Sequence, residues 1–298
     1  MRRVLAALAL AGSLAAAAVS GCSAPVTTRS SGALHAGPPP SYYLSLGDSL
    51  SQGVQPDSPG ISTRTRDGYA DQLYAALRSR QPGLRLVKLG CPGETTATMI
   101  HGGICSYPGG SQLAAAVSFL RAHRGRVPLI TIDIGANDPS SCIGAPSAAR
   151  LASCAVRSIP GAAANLARIL ARLRQADASG RIIAMNYYLP SLGEWRDGLV
   201  GQALARLSEL AAAGYNILLT KVYQAFGVRV ADVFSAFHTA DFGGQANLPE
   251  FGTLPRNVAA ICQWTWECAA PPRGPNEHPN KTGYAVIARA FLLADAPG

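Results

Sequence analysis

The sequence has few charged side chains and, after residue 20, no long uninterrupted apolar segment. Charged residues make up 14% of the 298 positions, whereas hydrophobic residues make up 48%. A composition this apolar excludes intrinsic disorder for most of the chain. No stretch beyond residue 20 reaches the roughly 18 apolar residues that a membrane-spanning helix needs. The sequence therefore excludes a membrane protein with several spans.

Acidic side chains and several ligand-binding motifs are also scarce. The chain has 17 Asp and Glu against 26 Lys and Arg, which gives a formal charge of +9. The basic residues are scattered, without the stripe and interleaved aromatics of a nucleic-acid-binding surface. There is no P-loop, no G-x-G-x-x-G after a strand, no G-x-S-x-G and no Cys-x-x-Cys. We therefore expect a soluble cationic domain without nucleic acid, cofactor or metal.

The N-terminus has the pattern of an export signal. Met1-Arg2-Arg3 is positively charged, and residues 4–19 are apolar and rich in Ala and Leu. The following Val19-Ser20-Gly21-Cys22 resembles the lipobox of bacterial lipoproteins, in which the Cys thiol carries the lipid. The resemblance implies a signal peptide over residues 1–21 and lipidation of Cys22. The alternative is an ordinary cleaved signal in front of a secreted protein.

The segment after Cys22 is typical of a flexible tether. Residues 23–41 are mainly Ser, Thr, Gly and Pro, with few large apolar side chains. We expect residues 22–41 to join the lipid anchor to a folded domain over residues 42–298. The protein would then lie on the outer face of the cytoplasmic membrane, or be secreted, and touch the membrane only through its anchor.

The cysteine count agrees with export. Seven cysteines are present, and removing Cys22 as the lipid carrier leaves an even number. Closing short loops costs the least entropy, so sequence-local disulfides are favoured over the other connectivities. An exported protein can form them. The expected pairs are Cys91–Cys105, Cys142–Cys154 and Cys262–Cys268.

Short apolar runs alternate with longer helical patterns along residues 42–298. The runs predict buried parallel strands covered on both faces, at residues 42–46, 84–89, 129–134, 181–186 and 228–234. Apolar residues at spacings of three and four predict helices, at residues 69–80, 112–123, 148–176, 202–224 and 281–293. This alternation predicts an α/β domain with a central parallel sheet. We expect one domain and a monomer. Residues 235–279 are predicted as a long loop.

Four sequence blocks carry residues of catalytic type, three of them just after predicted strands. They are Gly47-Asp48-Ser49-Leu50, Pro92-Gly93-Glu94-Thr95, Gly135-Ala136-Asn137-Asp138 and His278-Pro279-Asn280, the last of which is expected to open the final helix. Together and in this order they resemble the blocks of the GDSL, or SGNH, hydrolases over essentially all of residues 42–298. The resemblance implies a serine esterase or lipase with a three-layer αβα sandwich. It also implies a five-stranded parallel sheet of flavodoxin-like order 2-1-3-4-5.

The predicted sheet order gives these blocks a common location. If the first strand lies between the second and third, then Ser49, Gly93 and Asn137 all follow adjacent strands, at the edge of the sheet formed by the carboxyl ends of its strands. Ligands of open α/β sheets bind at this edge. Ser49 is then expected to be the nucleophile. The backbone N–H groups of Ser49 and Gly93 and the Asn137 amide would form the oxyanion hole. His278 would be the general base and then the general acid.

One position departs from the family pattern, which usually has Asp three residues before the His. Here that residue is Pro275. Three alternatives remain for the group that orients His278. The acceptor is a backbone carbonyl near Pro275 or in residues 262–272, the adjacent Glu277, or a distant acid. The candidate distant acids are Asp232, Asp241 and Glu267.

The sequence thus predicts a carboxylic-ester hydrolase acting on a lipid, short-chain or acetylated-sugar ester. Two other functions remain open on the same scaffold. One is a carbohydrate O-deacetylase or acyltransferase, because such enzymes share the same blocks. The other is a non-catalytic binding lipoprotein, for which the missing Asp is the only support.

Overall fold

The computed structural model of the protein describes residues 40–139 and 148–296. The strands are β1 (Ser41–Gly47), β2 (Gln55–Pro56), β3 (Ser62–Thr63), β4 (Leu84–Lys88), β5 (Leu129–Asp133), β6 (Arg181–Met185), β7 (Arg229–Ala231), β8 (Gln245–Leu248) and β9 (Gly252–Pro255). The helices are α1 (Ser49–Gln52), α2 (Tyr69–Arg78), α3 (Thr96–His101), α4 (Gln112–Ala122), α5 (Ala148–Ala176), α6 (Gly198–Ala225), α7 (Val233–Ala236), α8 (Arg256–Trp264) and α9 (Lys281–Asp295). A 3₁₀ helix over Pro190–Arg196 precedes α6.

The main sheet is parallel and has the order β4-β1-β5-β6-β7. In the numbering of the predicted strands this is 2-1-3-4-5, so the predicted fold class is confirmed. In the middle of the sheet, Leu44 is paired with Val87 on one side and Ile130 on the other. β1 and β5 are almost fully buried, as expected for strands covered on both faces.

Helices cover both faces because the order of the strands along the sheet changes direction after β4. The crossover from β1 to β4 runs one way along the sheet and the later crossovers run the other way. Since such connections are right-handed, α2 lies on one face, with α9 packed against it, and α4, α5 and α6 pack side by side on the other. Tyr69 of α2 stacks on Phe291 of α9 with 4.7 Å between ring centroids. The sheet edge where β1, β4 and β5 end is thereby held between two helical layers.

The predicted long loop contains regular structure that the sequence analysis missed. Residues 245–255 form the β8–β9 hairpin, and Arg256–Trp264 forms α8, whose inner face is buried. The last strand is shorter than predicted because Asp232 caps α7 by accepting a hydrogen bond from the Ser235 amide at 3.1 Å.

Helix α6 starts earlier than predicted, whereas helix α9 starts where it was predicted. Helix α6 begins at Gly198, four residues earlier than predicted. Helix α9 begins at Lys281, and its cap is Asn280, whose side chain accepts from the Gly283 amide at 3.0 Å. Pro279 therefore precedes the helix and pairs with Thr265 in a β-bridge.

The structure joins Cys91 to Cys105 and Cys262 to Cys268, as expected from their spacing. The Cys142–Cys154 pair and Cys22 lie outside the part of the chain whose side chains are described. Within residues 40–139 and 148–296, no helix has both the length and the apolar character needed to cross a bilayer.

Candidate active site

Ser49 lies at a sharp turn from strand to helix. β1 ends at Gly47, Asp48 caps the short helix α1, and Ser49 is its first residue. The Asp48 carboxylate accepts a hydrogen bond from the Leu50 amide at 3.0 Å. Leu50 is buried under the helix, whereas Ser49 stays partly exposed. The turn therefore presents the Ser49 hydroxyl at the carboxyl edge of the sheet.

A second carboxylate, that of Asp133, stabilises this turn by accepting hydrogen bonds from its backbone. Asp133, the last residue of β5, is fully buried and accepts hydrogen bonds from the Asp48 amide at 3.2 Å and the Ser51 amide at 3.1 Å. The Tyr69 hydroxyl donates to its other oxygen. Gly47 has a φ of 132°, and a Cβ there would lie 2.1 Å from the Asp133 carbonyl oxygen. Only glycine fits this position.

Asp48 and Asp133 form a buried pair of carboxyl groups. Burial raises the pKa of Asp133 well above its usual range, and the charge of Asp48 raises it further. Burial is also the main cause that raises the pKa of Asp48. Two adjacent buried carboxylates repel each other, so the pair retains a proton at a higher pH than separate carboxyl groups would.

Gly93 lies in an exposed turn beyond β4. The turn is closed by a hydrogen bond from the Glu94 amide to the Cys91 carbonyl at 3.0 Å, and the Cys91–Cys105 disulfide ties its first residue down. Gly93 has a φ of 79° and open space around it. The left-handed backbone explains the glycine, and the open space leaves room for a substrate.

Asn137 lies between the Ser49 turn and the Gly93 turn. Its side-chain amide donates to the Glu94 carbonyl at 3.0 Å and to the Asp48 carboxylate at 3.2 Å. The carboxylate of the next residue, Asp138, accepts a hydrogen bond from the Thr96 amide at 2.9 Å and so binds the start of α3. The structure thus brings Ser49, Gly93 and Asn137 to one edge, after the adjacent strands β1, β4 and β5.

His278 is held in a loop by backbone hydrogen bonds. The Trp266 amide donates to the His278 carbonyl at 3.0 Å, and the Tyr188 hydroxyl donates to the Glu277 carbonyl at 2.8 Å. The Cys262–Cys268 disulfide closes the turn after α8 that contains Trp266. These contacts fix the backbone on both sides of the imidazole.

The His278 loop is also tied to the segment that follows Ser49. Trp266 Nε1 donates to Gln55 Oε1 at 3.3 Å, and Asn276 Nδ2 donates to Ser62 Oγ at 3.1 Å. The negative charge of Glu277 acts on the pKa values of both Asp48 and His278. The long segment after β7 therefore returns His278 to the edge where β1 ends.

The group that contacts Nδ1 of His278 is Asn276, which the sequence analysis did not consider. Asn276 Oδ1 accepts from the His278 backbone amide at 3.0 Å and lies 2.8 Å from Nδ1. A backbone N–H can only donate, so this atom of Asn276 is the amide oxygen. Nδ1 must then carry the proton, which leaves the lone pair on Nε2.

None of the three alternatives for this contact matches the observed geometry. Asp232 accepts instead from the Asn186 side chain at 2.8 Å, and Asp241 forms an ion pair with Arg256 at 3.2 Å. Glu267 is half-buried, and burial together with the charges of Glu277 and Glu194 raises its pKa to about 7.

Burial lowers the pKa of His278, and the negative charge of Glu277 opposes this effect only in part. The His278 imidazole is therefore mainly neutral at pH 7. A neutral ring with its proton on Nδ1 is the form that can accept a proton at Nε2.

Two further side chains of the site were missed for different reasons. Asp133 was included in a predicted buried strand. An Asp in such an apolar run indicates a carboxylate with a hydrogen-bonding partner, because buried Asp is rare without one. Gln112 lies at the start of α4 and hydrogen-bonds to Gly47. Nothing in its sequence context distinguishes it from a surface glutamine.

A model of the family described as GDSL-like lipase/acylhydrolase matches residues 45–286. No curated protein matches the chain at the sequence level.

The chain also resembles solved structures. An extracellular lipase from Streptomyces rimosus is 20% identical with a TM-score of 0.57, over 85% of this chain and 99% of that one. Phospholipase A1 from Streptomyces albidoflavus NA297 is 17% identical with a TM-score of 0.56, over 86% and 99%. The acetylxylan esterase Axe2 from Geobacillus stearothermophilus is 15% identical with a TM-score of 0.54, over 87% and 96%. At these identities the likeness extends to the fold alone.

Proposed function

The chain belongs to the GDSL-like lipase/acylhydrolase family and is an ester-hydrolysing enzyme of this type, and we propose that it works through an acyl-enzyme on Ser49. The observation that carries this proposal is the contact between Asn276 Oδ1 and Nδ1 of His278, at 2.8 Å. Asn276 Oδ1 receives the Nδ1 proton, so Nε2 is the basic nitrogen. A serine nucleophile needs such a base.

In the proposed acylation, Ser49 Oγ attacks the ester carbonyl carbon and its proton passes to Nε2 of His278. The carbonyl π electrons move to oxygen and form an oxyanion. The imidazolium then gives the proton to the leaving alkoxide, which departs as an alcohol. In deacylation, water loses a proton to Nε2 and attacks the acyl carbon. The tetrahedral intermediate then breaks its bond to Ser49 Oγ and releases the acid, while the imidazolium returns its proton to Oγ and restores the hydroxyl.

The oxyanion is proposed to lie between the Ser49 turn, the Gly93 turn and Asn137. The backbone N–H groups of Ser49 and Gly93 would donate to it, together with the Asn137 amide. Of the two contacts of Asn137 Nδ2, the one to Asp48 is longer, at 3.2 Å against 3.0 Å for Glu94. We propose that the oxyanion takes the N–H that now points at Asp48.

We also propose that the protein is exported and anchored through a lipid on Cys22. The positively charged N-terminus, the apolar segment 4–19 and the lipobox-like Val19–Cys22 pattern support this. Cells fed a labelled fatty acid should incorporate the label into the wild-type chain and into Ser23→Ala, but not into Cys22→Ser. Label retained in Cys22→Ser would contradict the anchor.

A p-nitrophenyl ester series from acetate to palmitate tests the ester chemistry and its acyl preference. The full chain, purified in mild detergent, should hydrolyse at least part of the series with saturation kinetics. One equivalent of a serine-directed organophosphonate should abolish the activity. A preference for long acyl chains would indicate a lipase. A preference for acetate would indicate short or acetylated-sugar esters.

The same series contains the result that would contradict the proposal. Absence of hydrolysis at every chain length, together with no covalent phosphonate adduct, would favour a binding lipoprotein on this scaffold. Faster transfer of the acyl group to an added alcohol or sugar than to water would identify an acyltransferase instead.

A further inference from the structure

A buried glutamine outside the proposed catalytic set connects the parts of the site. Gln112, the first residue of α4, is fully buried. Its side-chain oxygen accepts from the Gly47 amide at 2.7 Å, and its side-chain nitrogen donates to the Gly47 carbonyl at 2.9 Å. The same nitrogen donates to the Glu94 carboxylate at 3.0 Å. One side chain thus links the end of β1 to the turn beyond β4 through three hydrogen bonds.

The two bonds to Gly47 fix the backbone just before the nucleophile. Gly47 is the last residue of β1, two positions before Ser49. Gln112 binds its N–H and its C=O together, as a neighbouring strand would. Because bond lengths and angles are stiff, fixing Gly47 also limits where Asp48 and Ser49 can lie.

The bond to Glu94 extends this restraint to the other two proposed oxyanion donors. Glu94 directly follows Gly93 and closes its turn through the Cys91 carbonyl. Its own backbone carbonyl accepts from Asn137 Nδ2 at 3.0 Å. Burial raises the pKa of Glu94, and hydrogen bonds from Thr98 and Gln112 partly offset this effect, which agrees with a carboxyl group shielded from solvent.

We propose that Gln112 is a positioning residue that holds Ser49, Gly93 and Asn137 at the spacing required to bind an oxyanion. This inference rests on the proposed serine-hydrolase function but does not follow from it. Gln112 touches no reacting atom, and its effect passes through the backbone of Gly47 and through Glu94. Misplacement of catalytic groups by about 1 Å can cost on the order of 100-fold in rate.

The test compares Gln112→Met with the wild-type full chain. The methionine side chain has nearly the same length as glutamine and is apolar, so it can fill the buried space but makes none of the three hydrogen bonds. We expect kcat to fall by about 10- to 100-fold while KM changes less than about threefold. Gln72→Met is the matched control, since the Gln72 side chain donates to the Asp67 and Lys281 carbonyls and lies outside the proposed site. Its kinetics should match the wild type.

A transition-state analogue separates positioning from a general loss of structure. A trifluoromethyl ketone adds to the serine hydroxyl and forms a tetrahedral oxyanion. Its affinity for Gln112→Met should fall by the same factor as kcat/KM. In a Gln112→Met/Asn137→Ala double variant, kcat should fall by less than the product of the two single effects, because part of the Gln112 effect passes through that donor.

A second variant covers the case in which Gln112→Met does not fold. Glu94→Leu keeps both bonds between Gln112 and Gly47 but removes the link to the Gly93 turn, together with the hydrogen bond between Glu94 and Thr98. It should lower kcat and analogue affinity together by about 3- to 10-fold. Wild-type kcat, or unchanged analogue affinity, in the folded variants would reject the positioning role while the esterase stands. A wild-type chain that hydrolyses no ester would instead remove the proposed function, and the positioning role with it.

Discussion

Replacing Ser49 with alanine is expected to lower kcat for ester hydrolysis by on the order of 10⁵-fold or more. The variant lacks the only atom that we propose to form the acyl-enzyme. The residual rate would come from substrate binding and the remaining oxyanion donors. Because the Ser49 side chain is partly exposed, the free energy of unfolding should change by about 1 kcal/mol or less. Steady-state kinetics and thermal melts of the full chain measure both quantities.

Ser79→Ala is the matched control for this prediction. Ser79 is an exposed serine at the end of α2, and its hydroxyl donates to the local Ala76 carbonyl. Its kinetic constants should equal those of the wild type. Full activity in Ser49→Ala would contradict the nucleophile assignment. A drop in both activity and melting temperature would assign Ser49 to stability.

Replacing Asn276 with alanine is expected to lower kcat by about 10²- to 10⁴-fold. The Nδ1 proton of His278 would lose its acceptor, and the ring could then rotate or adopt the tautomer whose Nε2 carries the proton. An incorrect tautomer is very costly in serine hydrolases. KM should change little, because Asn276 contacts His278 and Ser62 and is not proposed to touch the substrate.

The Asn276→Asp variant tests the same contact through its pH dependence. The neutral imidazole is the base, so kcat/KM rises as pH increases through the pKa of His278. Burial lowers this pKa in the wild type, which places the acid limb of the profile below about pH 6.5. A carboxylate at position 276 stabilises the imidazolium and raises the pKa. The acid limb should therefore move to higher pH by about one unit or more.

Ser62→Ala is the control for both Asn276 variants. It removes the contact of Asn276 Nδ2 and leaves Oδ1 beside the imidazole. Its rate should stay within about threefold of the wild type, with an unchanged pH profile. An unshifted acid limb in active Asn276→Asp would contradict the assignment of His278 as the base oriented by residue 276.

The fold could be predicted from the sequence because it depends on long, regular patterns. Five apolar runs and the helices between them were located within a few residues, and the sheet order followed from the family resemblance. The β8–β9 hairpin and α8 were missed. The hairpin consists of two four-residue strands beside glycines, and α8 carries Arg256 and Asn257 in its first turn. Short elements of this kind are stabilised by tertiary packing rather than by local propensity.

The site was predictable where it depends on local sequence and not where it depends on distant contacts. Ser49, Gly93 and Asn137 follow adjacent strands, so the sheet order alone brings them together. Asn276 was missed because a carboxamide two residues before a histidine is ordinary in a loop. The side-chain oxygen of Asn276 faces Nδ1 of His278 only because of the backbone conformation of the folded loop. Gln112 acts across 65 positions of sequence to reach Gly47, and no local pattern encodes such a contact.

The most direct test of the central claim is mass spectrometry of the full chain quenched during turnover of a p-nitrophenyl ester. We expect one acyl group per chain, located on the peptide that contains Ser49, and a matching burst of p-nitrophenol. The Ser49→Ala chain should carry no acyl group. Turnover without an adduct, or an adduct on another residue, would contradict a Ser49 acyl-enzyme.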